Sequence, residues 1–173
     1  KKIGKFKEID INFGKFQKVR FNEELPYFEW LPHPIAIAIK IGGYPKKIKL
    51  IKNEIIKNRQ LIFQICKFRL IYKNFIININ FSNNLTVPKR EVRIRGRKFT
   101  LIYDGYQKNI LIFKKNNEKR FQKLFYKKID PLELLLKKFS LAIKNRSRKN
   151  DLKFSYLVLK ILKRELLILL KKG

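Results

Sequence analysis

The strongest constraint on this chain lies between Leu85 and Asp130, LTVPKREVRIRGRKFTLIYDGYQKNILIFKKNNEKRFQKLFYKKID, where Lys and Arg are interleaved with Phe, Tyr and β-branched residues. A two-residue period sends successive side chains to opposite faces of a strand. Strands and a basic surface must therefore be the same object here. Val92 and Ile94 alternate with Arg93 and Arg95, so a strand would bury the aliphatic pair and present two guanidinium groups together. Gly96 fits a turn or bulge, Phe99 to Tyr103 resumes extended structure, and Asp104-Gly105 signals a turn. KKNNEKR, residues 114–120, reads as exposed, and Phe121 to Ile129 returns to strand-like mixing.

On the N-terminal side, Leu61 to Tyr72 and Phe75 to Phe81 read as strands, with a turn at Ser82-Asn83-Asn84. Pro34 to Ile41, PIAIAIKI, alternates bulky and small residues and predicts another strand. After Gly42-Gly43, the spacing of Ile48, Ile51 and Ile55 predicts a helix opened by Tyr44-Pro45. Asp130-Pro131-Leu132-Glu133 combines an N-cap, a first-position proline and an acid three residues after the cap, which predicts a second helix. Residues 151–173 fit a strand followed by a helix, or helix throughout. Residues 1–33 read as an extended arm with one short strand, anchored through Phe28 and Trp30 either to its own core or to a neighbour. The expected organisation is an arm (1–33), a single α+β RNA-binding domain (34–160) and a C-terminal helical extension (161–173).

Composition decides what such a surface would meet. The 173 residues suit one domain, and 45% hydrophobic with 13% aromatic residues supply a core. Against 13 Asp and Glu stand 43 Lys and Arg, a formal charge of +30 that repels itself in a compact protein. AT-rich coding raises Lys, but does not by itself remove acids. The imbalance predicts a polyanionic partner, with RNA phosphates met by Lys89, Arg90, Arg93, Arg95, Arg97, Lys98, Lys108, Lys114, Lys115, Lys119, Arg120, Lys123, Lys127 and Lys128. Tyr103, Tyr106, Phe125 and Tyr126 would pack in a core more readily than stack on bases.

Catalytic signals are sparse. Cys66 and His33 each occur once, which argues against a disulfide, a protein zinc site and a Cys/His nucleophile pair. His33, between Pro32 and Pro34, reads as a loop residue. Gly42-Gly43 lacks the context of a phosphate-binding loop, and the carboxylates show no paired motif. No cofactor, small-molecule substrate or enzymatic activity is expected. No apolar run reaches the ~18 residues of a membrane-spanning helix. An alternative role is that of a basic accessory subunit of a mitochondrial membrane complex, using the amphipathic C-terminal segment around Leu166 to Leu170.

The succession of predicted elements is β-α-β-β-α-β, the ferredoxin-like arrangement. Ile37 to Ile55, Val87-Pro88-Lys89-Arg90, Phe99-Thr100-Leu101 and Tyr126-Lys127-Lys128-Ile129-Asp130 together resemble the tenth protein of the small ribosomal subunit. That family's Ser-Pro-His is here Tyr103-Asp104-Gly105, and the His of its basic strand would be Tyr126. Phe75 to Gly96 is also similar to the sixth large-subunit protein. The first resemblance implies an rRNA-bound structural protein of an organellar small-subunit head, with ribosomal proteins as neighbours. A mitochondrial location follows from AT bias and basicity.

Overall fold

A computed structural model of the chain describes residues 6–20, 29–107, 110–125, 136–137, 140–141, 144 and 152–166. Among them are eight strands: β1 (Phe6–Gly14), β2 (Lys47–Asn58), β3 (Leu61–Ile71), β4 (Ile76–Ser82), β5 (Lys89–Gly96), β6 (Phe99–Asp104), β7 (Ile110–Lys115) and β8 (Gln122–Phe125). Helix α1 (Pro32–Gly42) follows β1, and α2 (Leu152–Lys160) runs on into a π-helical turn, Ile161–Leu166. The strands form a single sheet in the order β2-β3-β4-β1-β5-β6-β7-β8. Only β1 and β4 are parallel; every other neighbouring pair is antiparallel.

This architecture corrects the ferredoxin-like expectation. Pro34 to Ile41 is helical, and the segment expected to be a helix, KKIKLIKNEIIKN, is strand β2. Both reversals have a local cause. Nearly every α1 position is apolar or small, so the run satisfies either period, and Leu31, Ile35, Ala38 and Ile39 line up at helical spacing to reach the core. Pro32 and Pro34 decide the matter, because proline lacks the N–H a strand ladder needs but fits a helix's first turn. Gly43, at φ 71°, ends the helix with its N–H on the Ile39 carbonyl at 2.8 Å. In β2 the pairing to β3 slips between Leu50 and Lys52. An extra residue there turns a plain alternation into the helix-like spacing of Ile48, Ile51 and Ile55.

Within the segment read as an arm, Phe6–Gly14 is an inner strand, held between β4 and β5. Its Ile9-Asp10-Ile11-Asn12-Phe13 lies in register beside the near-copy Ile77-Asn78-Ile79-Asn80-Phe81. On both strands the isoleucines and the phenylalanine are buried on one face, where α1, α2 and the π-helical turn pack through Leu31, Ile35, Ile39, Val158 and Ile161. Asp10, Asn12, Asn78 and Asn80 point to the other face. The strands expected at 61–72, 75–81, 92–95 and 99–103 are present as β3 to β6, and the exposed 114–120 stretch contains the turn between β7 and β8. The Asp130 cap lies outside the described residues, whereas residues 136, 137, 140, 141 and 144 are helical. Residues 152–160, read as a strand or as helix, form helix.

Two titratable groups, Tyr72 and Cys66, are buried in the core, and Tyr72 ties the helical layer to the sheet. The Tyr72 hydroxyl donates to the carbonyls of Gly43 at 3.2 Å and Ala38 at 3.4 Å, closing the C-terminus of α1, and its ring stacks on Phe75 at 4.6 Å. Burial pushes the Tyr72 phenol from its ordinary 10.0 to about 12, and the Cys66 thiol from 9.0 to about 12. The unfolded chain releases these protons first, so each group stabilises the unfolded state as pH climbs from its ordinary value towards 12. Tyr72→Phe should therefore melt with a shallower alkaline decline than the parent. Every other group is common to both proteins, so the difference between the two melting curves isolates Tyr72. Parallel curves from pH 9 to 12 would contradict this account.

Candidate functional site

At one end of the sheet, β1 and β4 finish, β3 begins, and α1 starts. Residues 15–20 run past this end, with an isolated bridge from Arg20 to Leu61, and their placement depends on Asn83. Its side-chain Oδ1 accepts from the Gln64 N–H at 2.6 Å, and its Nδ2 donates to the carbonyls of Gln17 at 3.1 Å and Ile62 at 3.0 Å. The Gln17 N–H returns a bond to the Asn83 carbonyl at 2.9 Å. A buried amide that uses both ends in this way positions the segment as firmly as a short ladder would.

Gln17, so held, organises the entry to α1. Its Nε2 donates to Glu29 Oε2 at 3.0 Å, and its Oε1 accepts from the Trp30 indole N–H at 2.9 Å. The Lys15 ammonium lies 4.8 Å from the centroid of the Trp30 ring. One helical turn beyond Glu29 stands His33, the chain's single histidine, exposed in the first turn of α1. Glu29 and His33 are thus both exposed and four residues apart across the start of α1, with the buried Trp30 indole next to Glu29 in the chain. Such a pair can accept, hold and return a proton at the oxygen of a bound molecule. Sequence reading passed over it because neither residue type is paired in a recognisable motif. The usable signal was the spacing of Glu29 and His33 at i and i+4 across the start of a helix, visible only once PHPIAIAIKIG is assigned as one.

The cations expected to bind RNA are distributed differently. Lys108, Lys127 and Lys128 lie outside the described residues. Arg95 and Arg93 do not form a free pair on β5: Arg95 bridges Glu8 at 2.8 Å and Asp10 at 2.6 Å, while Arg93 reaches Glu91 at 3.4 Å. They belong to a polar network on the helix-free face, where Asn78 donates to Glu8 and Asp10, Arg69 donates to Asn78, and Asn80 donates to Asn12, which donates to Glu91. The network crosses β3, β4, β1 and β5. Arg90 sits beside the Phe13 and Tyr106 rings, Lys114 lies over Phe121, and Lys115 pairs with Glu118. Lys89, Arg97, Lys98, Lys119, Arg120 and Lys123 are exposed. These positions span both faces and two ends of the sheet rather than one surface.

A nicotinamide dinucleotide is ordinarily cradled where a parallel strand passes through a glycine-rich turn into a helix. Among the described residues no such strand–glycine–helix unit exists, and Gly42-Gly43 follows a helix instead of opening one. These residues do not fit a dinucleotide cradle.

No family model matches this chain, and no curated protein matches it. Solved structures do. The chain is similar to a dehydrogenase from Clostridium difficile (17% identity, TM-score 0.65, covering 92% of this chain and 55% of that one). It is also similar to biliverdin reductase from Synechocystis sp. PCC 6803, solved with biliverdin and NADP+ (12% identity, TM-score 0.71, 93% and 54%). A third is a UDP-N-acetylglucosamine 3-dehydrogenase from Acidithiobacillus ferrooxidans (14% identity, TM-score 0.67, 95% and 54%). These neighbours overturn the ribosomal resemblance and, with it, the rRNA and ribosomal-protein partners, the purely structural role and the membrane-complex alternative. The resemblance rested on a string of elements in which a helix and a strand had been exchanged. The chain shares a mixed-sheet fold with part of each of these solved proteins and spans about half of their length.

Proposed function

We propose that this chain is the substrate-facing sheet domain of an oxidoreductase, in which His33 and Glu29 manage a proton at a hydroxyl or carbonyl oxygen of a small molecule. The observation that carries this reading is that the exposed imidazole of His33 follows the exposed carboxylate of Glu29 by four residues at the start of α1, on a fold shared with dehydrogenases and a reductase. Interconverting an alcohol and a carbonyl requires a group that takes up or returns the oxygen-bound proton, and histidine is the commonest choice. Glu29, steadied by Gln17, would orient a substrate hydroxyl or the imidazole itself. Trp30, next to Glu29 in the chain, carries the Lys15 ammonium over its ring. Any nicotinamide would need a cradle outside the described residues.

With one histidine in the chain, its imidazole gives a single set of ring resonances. Titration with a panel of sugars, polyols and keto acids should move that signal for at least one compound class. Glu29→Gln should weaken the same interaction severalfold, about 1 kcal/mol for one lost hydrogen bond in an exposed site. An imidazole signal that none of these ligands perturbs would refute the reading.

A further inference from the structure

On the helix-free face, away from His33, a cleft of about 390 Å³ opens at the end of β1 and β4. We infer that it binds a small organic anion, a carboxylate or phosphate ester carrying a compact apolar group. The inference does not depend on the proposed oxidoreductase role.

The cleft is built by register. Lys67 on β3 lies opposite Asn80 on β4, which lies opposite Asn12 on β1, so the three side chains form one row across the sheet. Lys89 begins β5 opposite Gly14, on the far side of β1. The two ammonium-bearing strands are three strand spacings apart, roughly 14 Å at the backbone, a gap that two extended lysine side chains and a small ligand can fill. Asn80 donates to Asn12 at 2.8 Å, and Asn12 donates to Glu91 at 3.1 Å, so the amide floor is held in place. Ile65 and Leu85 supply the apolar walls. Leu85 comes close because residue 14 has no side chain: a Cβ on Gly14 would lie 2.0 Å from the Ser82 carbonyl oxygen and 3.0 Å from Leu85 Cδ1.

Charge accounting points to an anion. On this face Glu8 and Asp10 are taken by Arg95, Glu91 by Arg93 and Asn12, and Glu54 by Lys52, while Asp104, opposite Glu91 on β6 and outside the cleft lining, accepts from the Tyr106 N–H. Among the described residues neither Lys67 nor Lys89 has a carboxylate partner. Two uncompensated ammonium groups flank a recess with apolar walls, the combination that orients a charged head group and covers an apolar body. In a recess their attraction for an anion is less screened than on a flat surface.

Calorimetric titrations with benzoate, phenyl phosphate and inorganic phosphate test this, using the unaltered chain, Lys67→Gln, Lys89→Gln and, as an off-site control, Lys123→Gln. All three lysines are exposed, so the variants should fold. Expected are saturable binding of an organic anion, weaker binding of inorganic phosphate, and about a tenfold loss for each cleft variant but not for the control. Benzoate against phenyl phosphate separates a carboxylate ligand from a phosphate ester. Absence of saturable binding, cleft variants that bind as the parent does, or an equal loss in Lys123→Gln would overturn the inference, the last by assigning the effect to the diffuse field of +30.

Discussion

Truncating Phe68 to Ala should lower the unfolding free energy by about 3–5 kcal/mol, the range for removing a large ring from a closed core. Phe68 is 1% exposed and sits in the middle of β3, facing Leu50 on one side and Ile79 on the other. Its face of the sheet is covered by α1 and α2, so the surroundings are fixed on both sides and cannot collapse into the vacated volume. Urea unfolding of the two proteins reads the difference directly. A loss below 1 kcal/mol would mean that the helices do not close over this half of the sheet.

Asn83→Ala should cost about 2–4 kcal/mol and also loosen the candidate site. The side chain is 1% exposed, and its removal leaves the Gln64 N–H and the Gln17 and Ile62 carbonyls without their partner. Buried groups orphaned in this way each cost roughly 1–3 kcal/mol, less whatever water can enter the gap. The functional consequence follows from connectivity: Asn83 places Gln17, and Gln17 holds Glu29 and Trp30. The variant should therefore weaken whatever ligand shifts the His33 resonance, at temperatures where the protein is still folded. A variant that loses stability but leaves that ligand response untouched would separate the anchor from the site.

Much of the sheet was legible in the sequence. Val92 and Ile94 against Arg93 and Arg95, Phe75 to Phe81, and the Asp104-Gly105 turn carry their period and punctuation within a few residues, and local sterics suffice to express them. β1 was not legible as a central strand. Glu8, Asp10 and Asn12 give it the look of a solvated arm, and the partners that make those residues acceptable, Arg95 and Asn78, are 87 and 70 residues from Glu8. The bulge in β2 and the Ile-Ala run of α1 satisfied the wrong period for the same reason: their true faces are defined by β3 and by the core, not by their neighbours in the chain.

The sequence by itself settled the charge excess, the single His33 and Cys66, and the existence of β3 to β6. Tertiary structure alone decided the strand order, the parallel joining of β1 to β4, and which cations stand free. Arg93 and Arg95, the most prominent basic pair in the sequence, are occupied by acids, whereas Lys67 and Lys89 are left to face a cleft. It also turned His33 from a residue between two prolines into an exposed imidazole one helical turn from Glu29. The division has a physical basis. Alternation and turn chemistry are expressed over a few residues, while pairing, ion-pair neutralisation and the assembly of a site depend on contacts between segments far apart in the chain.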